Sequence, residues 1–233
     1  RDLLSRIIYG ARISVIVGLA GTAISTLLAT IVGLVSGYVG GKADLAIQRV
    51  VDALMGFPIM VIALTLISLF GTGLLQVIFV LGMISSIRWS RVVRSAVIGI
   101  KENLYVEAAR AIGAPTGRGL MRHILPNIMP IIIVISTINI GRVIISEASL
   151  SFLGFGVPPP APSWGGMLSG AGRQYMEEAP WLALWPGLAL AIVVYGANML
   201  GDAVRDLLDP RLRGGLGRYS GVKRKMPKLS AQS

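Results

Sequence analysis

The feature that most constrains this chain is where its charges are missing. Nothing charged stands between Arg12 and Lys42, and nothing charged stands between Asp52 and Arg88. A helix needs roughly 20 apolar residues to cross the hydrocarbon core of a bilayer, so both windows are long enough, and the second is too long for one crossing. Gly71-Thr72-Gly73 divides it as a tight turn. The chain therefore reads as an all-α, polytopic membrane helix bundle with five spans, near residues 13–38, 53–70, 74–100, 124–146 and 180–200. Pro126 and Pro130 stand near the start of the fourth span, and Pro186 predicts a kink in the fifth. Composition agrees. The chain is 54% hydrophobic and 14% charged, against about a quarter charged in an ordinary soluble domain, too few charges to coat a water-soluble globule.

The net charge of +11 then becomes a question of placement. Arg88, Arg91, Arg94, Lys101, Arg110, Arg118 and Arg122 crowd the segment before His123, and the C-terminus carries Arg205, Arg211, Arg213, Arg218, Lys223, Arg224, Lys225 and Lys228. Short loops rich in Lys and Arg stay cytoplasmic. That rule puts the 39–49 loop, the 101–125 loop and the basic tail 202–233 inside, and the 71–73 turn and the 148–179 segment outside. Topology accounts for the positive charge, so no nucleic-acid partner is expected, and the tail is either disordered or held on lipid headgroups. Five spans with the C-terminus inside leave residue 1 outside, and the expectation is that a first membrane helix precedes Arg1.

The chemistry of enzymes is hard to build here. The chain has no cysteine and one histidine, His123, which leaves no paired-His metal site and no nucleophile–base constellation. A phosphate-binding loop needs the form GxxxxGK[ST]; Gly37-Tyr38-Val39-Gly40-Gly41-Lys42-Ala43 has the wrong spacing and ends in Ala. No metal and no cofactor of its own is expected. An ion-coupled transporter or channel remains the competing class, although such proteins usually carry several intramembrane carboxylates.

The 101–125 loop holds the most information. Residues 102–112 have helix-forming composition, with Leu104, Ala108, Ala111 and Ile112 on one face at helical spacing. Gly113 stands where a left-handed residue would end that helix, and Pro115-Thr116 would open a second short helix with Thr116 as N-cap. Two readings follow: a helix–turn–helix finger held below the membrane, or an amphipathic loop lying on anionic lipid.

At this loop the sequence resembles a known family. Glu107-Ala108-Ala109, Gly113 and Ile124-Leu125-Pro126 resemble the EAA loop of bacterial ABC importer permeases. Three further stretches resemble the dipeptide, oligopeptide and nickel members in order. They are Arg1 to Arg6 with Tyr9-Gly10-Ala11-Arg12, Ser149 to Pro159 with Pro162-Ser163-Trp164-Gly165, and Gly201-Asp202 with Arg205-Asp206 and Leu208-Asp209-Pro210-Arg211. The match corresponds to the second of the two permease subunits in such systems. It implies a type I importer transmembrane domain in the bacterial inner membrane, forming half of a path for peptides or a related small solute. It also implies a homologous permease partner, two ATPase subunits that carry the ATP and Mg, and an extracytoplasmic binding protein. On this resemblance the loop docks into a groove of an ATPase subunit: Ala108 and Ala109 keep it slim, Glu107 and Arg110 make polar contacts, and Gly113 permits the reversal.

The remaining polar and aromatic residues are less specific. Gly33, Gly37 and Gly41 fall four apart and let another helix approach closely. Asp52 either caps a helix or pairs with a nearby Arg such as Arg49. Arg142 and Glu147 are the charges nearest a membrane interior; they line the pathway or stabilise helix ends, with Glu147 close enough to the outer end to reach water. Trp164, Arg173, Glu177 and Glu178 are candidates for docking a binding protein, against the simpler role of an aromatic belt that Trp164, Trp181 and Trp185 would form.

Overall fold

The computed structural model describes residues 2–113, 115–175 and 177–208, and the basic tail from 209 onward lies outside the described residues. Its helices are α1 Leu3–Val39, α2 Gly41–Met55, α3 Ile59–Phe70, α4 Leu74–Lys101, α5 Leu104–Ala111, α6 Thr116–Gly119, a π-helical turn Leu120–Ile124, α7 Leu125–Phe152, α8 Trp164–Ser169, α9 Ala171–Gln174 and α10 Trp181–Leu208. Among the described residues, four segments are long and apolar enough to cross a membrane, α1, α4, the run Thr116–Phe152 and α10, and a fifth if the bent pair α2 and α3 is one span.

The first helix begins ten residues ahead of the expected span. Asp2 caps it by accepting the Leu4 N–H at 3.1 Å, and Arg6 and Arg12 ride within it. A charge ends a membrane-buried window but does not end a helix, so charge-free windows underestimate helix length at both ends. The same effect carries α7 to Phe152 and α10 to Leu208. Pro126 comes just after the π-helical turn within the continuous run Thr116–Phe152, and Pro130 and Pro186 likewise lie within helices that continue past them.

The second expected span, 53–70, is not one straight helix: α2 and α3 form a bent pair that passes the length and hydropathy test together, as a broken span or a re-entrant loop. Residues 53–55 end α2, and α3 starts only at Ile59, with the two axes bent by 91°. Pro58 lacks an N–H and holds an extended ψ of 127° at the start of α3, so the helix cannot run through it. The twelve residues of α3 rise about 18 Å, short of a full crossing. The turn at Gly71, with φ of +86°, falls where expected.

The most extensive helix contact joins α1 and α4. Gly33 and Gly37 make it possible. A Cβ on Gly33 would lie 2.6 Å from Val93 Cβ and 2.8 Å from Ser90 O, and one on Gly37 would lie 2.9 Å from Val97 Cβ and 3.0 Å from Arg94 O. Gly41 does not extend this stripe. It opens α2 with φ of +58° and nothing within 4 Å of a would-be Cβ, a turn position rather than a contact.

Two apolar clusters stack along the bundle. Val17, Leu81, Val143 and Leu150 belong to the one nearer α8, and Tyr38, Val97, Ile124 and Ile128 to the one nearer α5. Outside them, α10 leaves Leu184, Ile192, Tyr195 and Leu207 more than half exposed. An apolar face of that length has to meet lipid or another helix.

At the α8 end the external-segment residues fold back onto the bundle. Trp164 is only 2% exposed, donates its Nε1–H to Ile7 O at 3.0 Å and lies against Gly10. This corrects its reading as a docking or belt residue, since its indole is buried against α1. Gly165 seats on Ala148 so closely that no Cβ fits. Truncating a buried indole removes both its burial and its hydrogen bond, so Trp164→Ala is expected to cost about 3–5 kcal/mol, read as a lowered unfolding temperature in detergent. Trp164→Phe is expected to cost less.

Glu147 is likewise fully buried rather than near water. Its Oε2 accepts from Ser14 Oγ at 2.9 Å and its Oε1 from Ser151 Oγ at 2.7 Å, which ties α7 to α1. Arg142 does not face it: five helical positions separate the two by about 140°. The Arg142 guanidinium instead sits 5.9 Å from the Trp89 ring centroid, a cation–π geometry.

Candidate functional site

The 101–125 loop forms a helical finger at the end of the bundle opposite α8. Asn103 starts it, its carbonyl accepting the N–H of Val106 at 2.9 Å and of Glu107 at 3.2 Å. Among the described residues of α5 only Val106 is buried, at 1% exposure. Leu104, Ala108, Ala111 and Ile112, the four residues expected on one face, are all exposed, with Leu104 at 82% and Ile112 at 86%. The apolar face of α5 thus points away from the protein, and one valine anchors the opposite side.

Gly113 reverses the chain at φ of +81°, in the left-handed region that favours glycine. Thr116 is not the N-cap. Pro115, with φ of −64° and ψ of 148°, takes that place, and its carbonyl accepts the N–H groups of Arg118 and Gly119. Proline's fixed φ organises the turn without a side-chain cap. Gly119 then passes beneath Tyr38, whose hydroxyl lies 3.1 Å from where a Cβ would be, and the π-helical turn leads to buried Ile124.

The root of the finger is fastened by polar contacts that sequence reading missed. Lys101, the last residue of α4, donates to Tyr38 O at 2.6 Å and lies 5.7 Å from that ring's centroid. Arg94 grips Asp44 with both forks, Nε to Oδ1 at 2.7 Å and Nη2 to Oδ2 at 2.5 Å. Ser36 Oγ donates to the same carboxylate, and Gln48 Nε2 donates to Ser36 Oγ at 2.9 Å. These contacts join α1, α2 and α4 immediately behind the finger. A cavity of about 490 Å³ opens there, lined in part by Gly40, Asp44, Lys101, Glu102 and Glu107. Asp44 and Arg94 are 50 residues apart, so no local spacing could have paired them. Because the Asp44 side chain is only 15% exposed, Asp44→Asn is expected to cost about 2 kcal/mol. An Asp44→Asn, Arg94→Met double-mutant cycle in thermal melts checks the coupling.

Other candidate residues lie elsewhere. Asp52 pairs with Arg91 of α4, not with Arg49; both side chains are more than 40% exposed, so the bridge contributes little. Arg173, Glu177 and Glu178 are exposed on the stretch between α8 and α10, far along the bundle from the finger. The side chain of Arg110 lies outside the described residues, as do Asp209, Pro210 and Arg211.

Comparison with known proteins supplies the family. Residues 29–214 match the family model described as the binding-protein-dependent transport system inner membrane component. The chain belongs to that family. It is thus a multi-pass inner membrane protein and the membrane component of a transport system rather than an enzyme, working with ATPase subunits and a binding protein. The ion-coupled alternative is set aside. Among curated proteins it is 39% identical to the dipeptide transport system permease protein DppC of Alkalihalophilus pseudofirmus, over 91% of this chain and 70% of that one. The oligopeptide transport system permease protein OppC of Haemophilus influenzae is 39% identical over 91% of this chain and 68% of its own length. The glutathione transport system permease protein GsiD of Pectobacterium atrosepticum is 40% identical over 91% and 70%. In fold, this transport component superposes on a chain of the inward-facing MetNI methionine ABC transporter with a TM-score of 0.72, over 89% of this chain and 98% of that one, at 18% identity. The expected all-α, type I importer architecture is the observed one.

Proposed function

We propose that this permease forms half of the translocation path of a peptide importer and that α5 and α6 are its coupling element, seated in a groove of an ATPase subunit. The observation that carries the reading is the solvent-facing apolar side of α5 on a rigidly fastened root. Leu104, Ala108 and Ile112 offer a surface to a partner, while Val106, Lys101 and Arg94 transmit its displacement to α4 and α1. Ala108 and Ala109 keep the helix slim, Glu107 supplies a polar contact at the rim, and Gly113 allows the reversal into α6. A rigid element with two discrete positions can bias a whole bundle, which a loose loop cannot.

In this reading the finger and the basic C-terminal tail face the cytoplasm, and α8 with Arg173, Glu177 and Glu178 faces the binding protein. A second, homologous permease completes the path and covers part of the exposed apolar surface, with lipid covering the rest. ATP and Mg are held on the two ATPase subunits. The peptide substrate rests on the names of relatives sharing about 39% identity.

Reconstitution of the full complex in proteoliposomes tests this. ATP-dependent accumulation of labelled trialanine, requiring the binding protein and the ATPase subunits, is the expected result. Uptake by this chain alone on an ion gradient would overturn the reading.

A further inference from the structure

Arg142 sits at mid-height in the bundle. On one side of it in sequence, Gly141 lies against Val194 and Asn198 of α10, and on the other, Val143 lies against Gly21 of α1. Those contacts fall on the middle turns of α10 and α1, which run Trp181–Leu208 and Leu3–Val39. Gly141 and Val143 are buried, yet Arg142 itself is exposed, on the side of α7 that also exposes Ile131 and Ile145. Ile131 and Arg142 are close to three full turns apart, so they share one face. Ile131 walls a shallow groove of about 470 Å³ with Arg91, Val92, Ser95 and Ala96 of α4. The open face of α7 therefore continues from Arg142 toward the finger.

A permanently charged guanidinium facing hydrocarbon at that depth is costly, and charges within a membrane generally pair or face a water-filled path. Among the described residues no carboxylate lies within salt-bridge reach of Arg142. Glu147, the nearest charge along α7, is held by Ser14 and Ser151. The Trp89 ring, 5.9 Å from the guanidinium, offsets the charge through its π face and uses none of the N–H donors. The open face thus presents a cation steadied by an aromatic ring, with its fork of donors uncommitted. That fork matches a carboxylate in two parallel hydrogen bonds.

We infer that Arg142 is a carboxylate subsite in the translocation path, taking the C-terminal carboxylate of a peptide in transit; the inference rests on the peptide reading above. Every linear peptide brings that group whatever its side chains, so one cation at mid-height serves solutes of varied sequence. The groove beyond Trp89 gives the rest of the solute an apolar wall. When the solute departs, the ring remains beside the charge, which suits passage: a conducted ligand must bind well enough to enter and weakly enough to leave.

The test uses the full reconstituted complex, with its binding protein saturated by trialanine. Arg142→Gln removes the charge and keeps a polar side chain. The expected result is a maximal uptake lower by at least about tenfold, with melting temperature and recovery of the other subunits unchanged, and partial return in Arg142→Lys. A second readout, which a merely structural role would not move, uses the absence of cysteine in the chain. Arg142→Cys is expected to react with water-borne methanethiosulfonates, measured against the unaltered complex as blank, and trialanine turnover is expected to slow that reaction. Attaching an aminoethyl group, which restores a cation, should recover uptake; attaching a sulfonatoethyl group should not. Undiminished uptake by Arg142→Gln, in a complex whose unaltered form transports, overturns the subsite while leaving the peptide reading standing. Arg142→Cys that reacts only with a membrane-dissolved maleimide places the residue in lipid, and loss of the second permease from Arg142→Gln makes it a subunit contact; either result also overturns the subsite. If the unaltered complex does not take up trialanine at all, the peptide reading itself fails and the subsite falls with it.

Discussion

Gly33→Leu is expected to leave no stably folded bundle. Even the first atom of a side chain there would lie 2.6 Å from Val93 Cβ and 2.8 Å from Ser90 O, and the second of these belongs to the backbone of α4, which cannot rotate aside. The α1–α4 contact is the largest in the fold, so separating the two helices loosens both apolar clusters. Overpacking a tight core ordinarily costs about 1–3 kcal/mol. A whole isobutyl group forced between two helix backbones exceeds that, and the variant should aggregate on solubilisation instead of eluting as a monodisperse species. Gly99→Ala serves as the control. It lies in α4, the helix that Gly33 packs against, with nothing within 4 Å of its would-be Cβ, and alanine is the better helix former by about 1 kcal/mol. Its melting temperature should hold or rise.

Ala108→Trp is expected to have the opposite profile, with folding intact and function lost. Ala108 is exposed on α5, so an indole there meets nothing in the chain itself and the melting temperature should not move. Within a groove that admits a slim helix, the same indole holds the finger out. Losing a close apolar interface core costs several kcal/mol, and about 2.7 kcal/mol is already a hundredfold. Peptide uptake should fall at least about 100-fold, and the ATPase subunits should no longer co-purify. Tryptophan at Ala111, exposed on the same face, should behave alike, whereas a substitution at exposed Arg173 should leave ATPase retention unchanged.

How much of this was visible in the residues alone depends on the range of the interaction. Local signals worked: the Gly71 turn, the Gly113 reversal and the shared face of Leu104, Ala108, Ala111 and Ile112 each follow from a few neighbouring residues. The EAA-like loop and its flanks identified the family before any fold was in hand. Long-range pairings were invisible. Trp164 reads as an interfacial aromatic until Gly10 and the Ile7 carbonyl are seen to enclose it, and Glu147 reads as a solvent-reaching charge until Ser14 arrives from 133 residues away. Asp52 looked toward Arg49 because both sit on α2, while the actual partner comes from α4. The bend inside the 53–70 span was invisible for another reason. Hydropathy counts apolar residues and takes no account of direction, and the bend at Pro58 changes direction without changing composition.

The central claim is that the exposed face of α5 is held by an ATPase subunit. Because the chain has no cysteine, Ala108→Cys places one thiol on that face, and a short photoreactive crosslinker attached there reports what lies within its reach in the intact membrane complex. The account predicts an adduct with an ATPase subunit, formed in high yield and lost when Ala111 is also replaced by tryptophan. An adduct confined to lipid, or to the binding protein on the other side of the membrane, would contradict it.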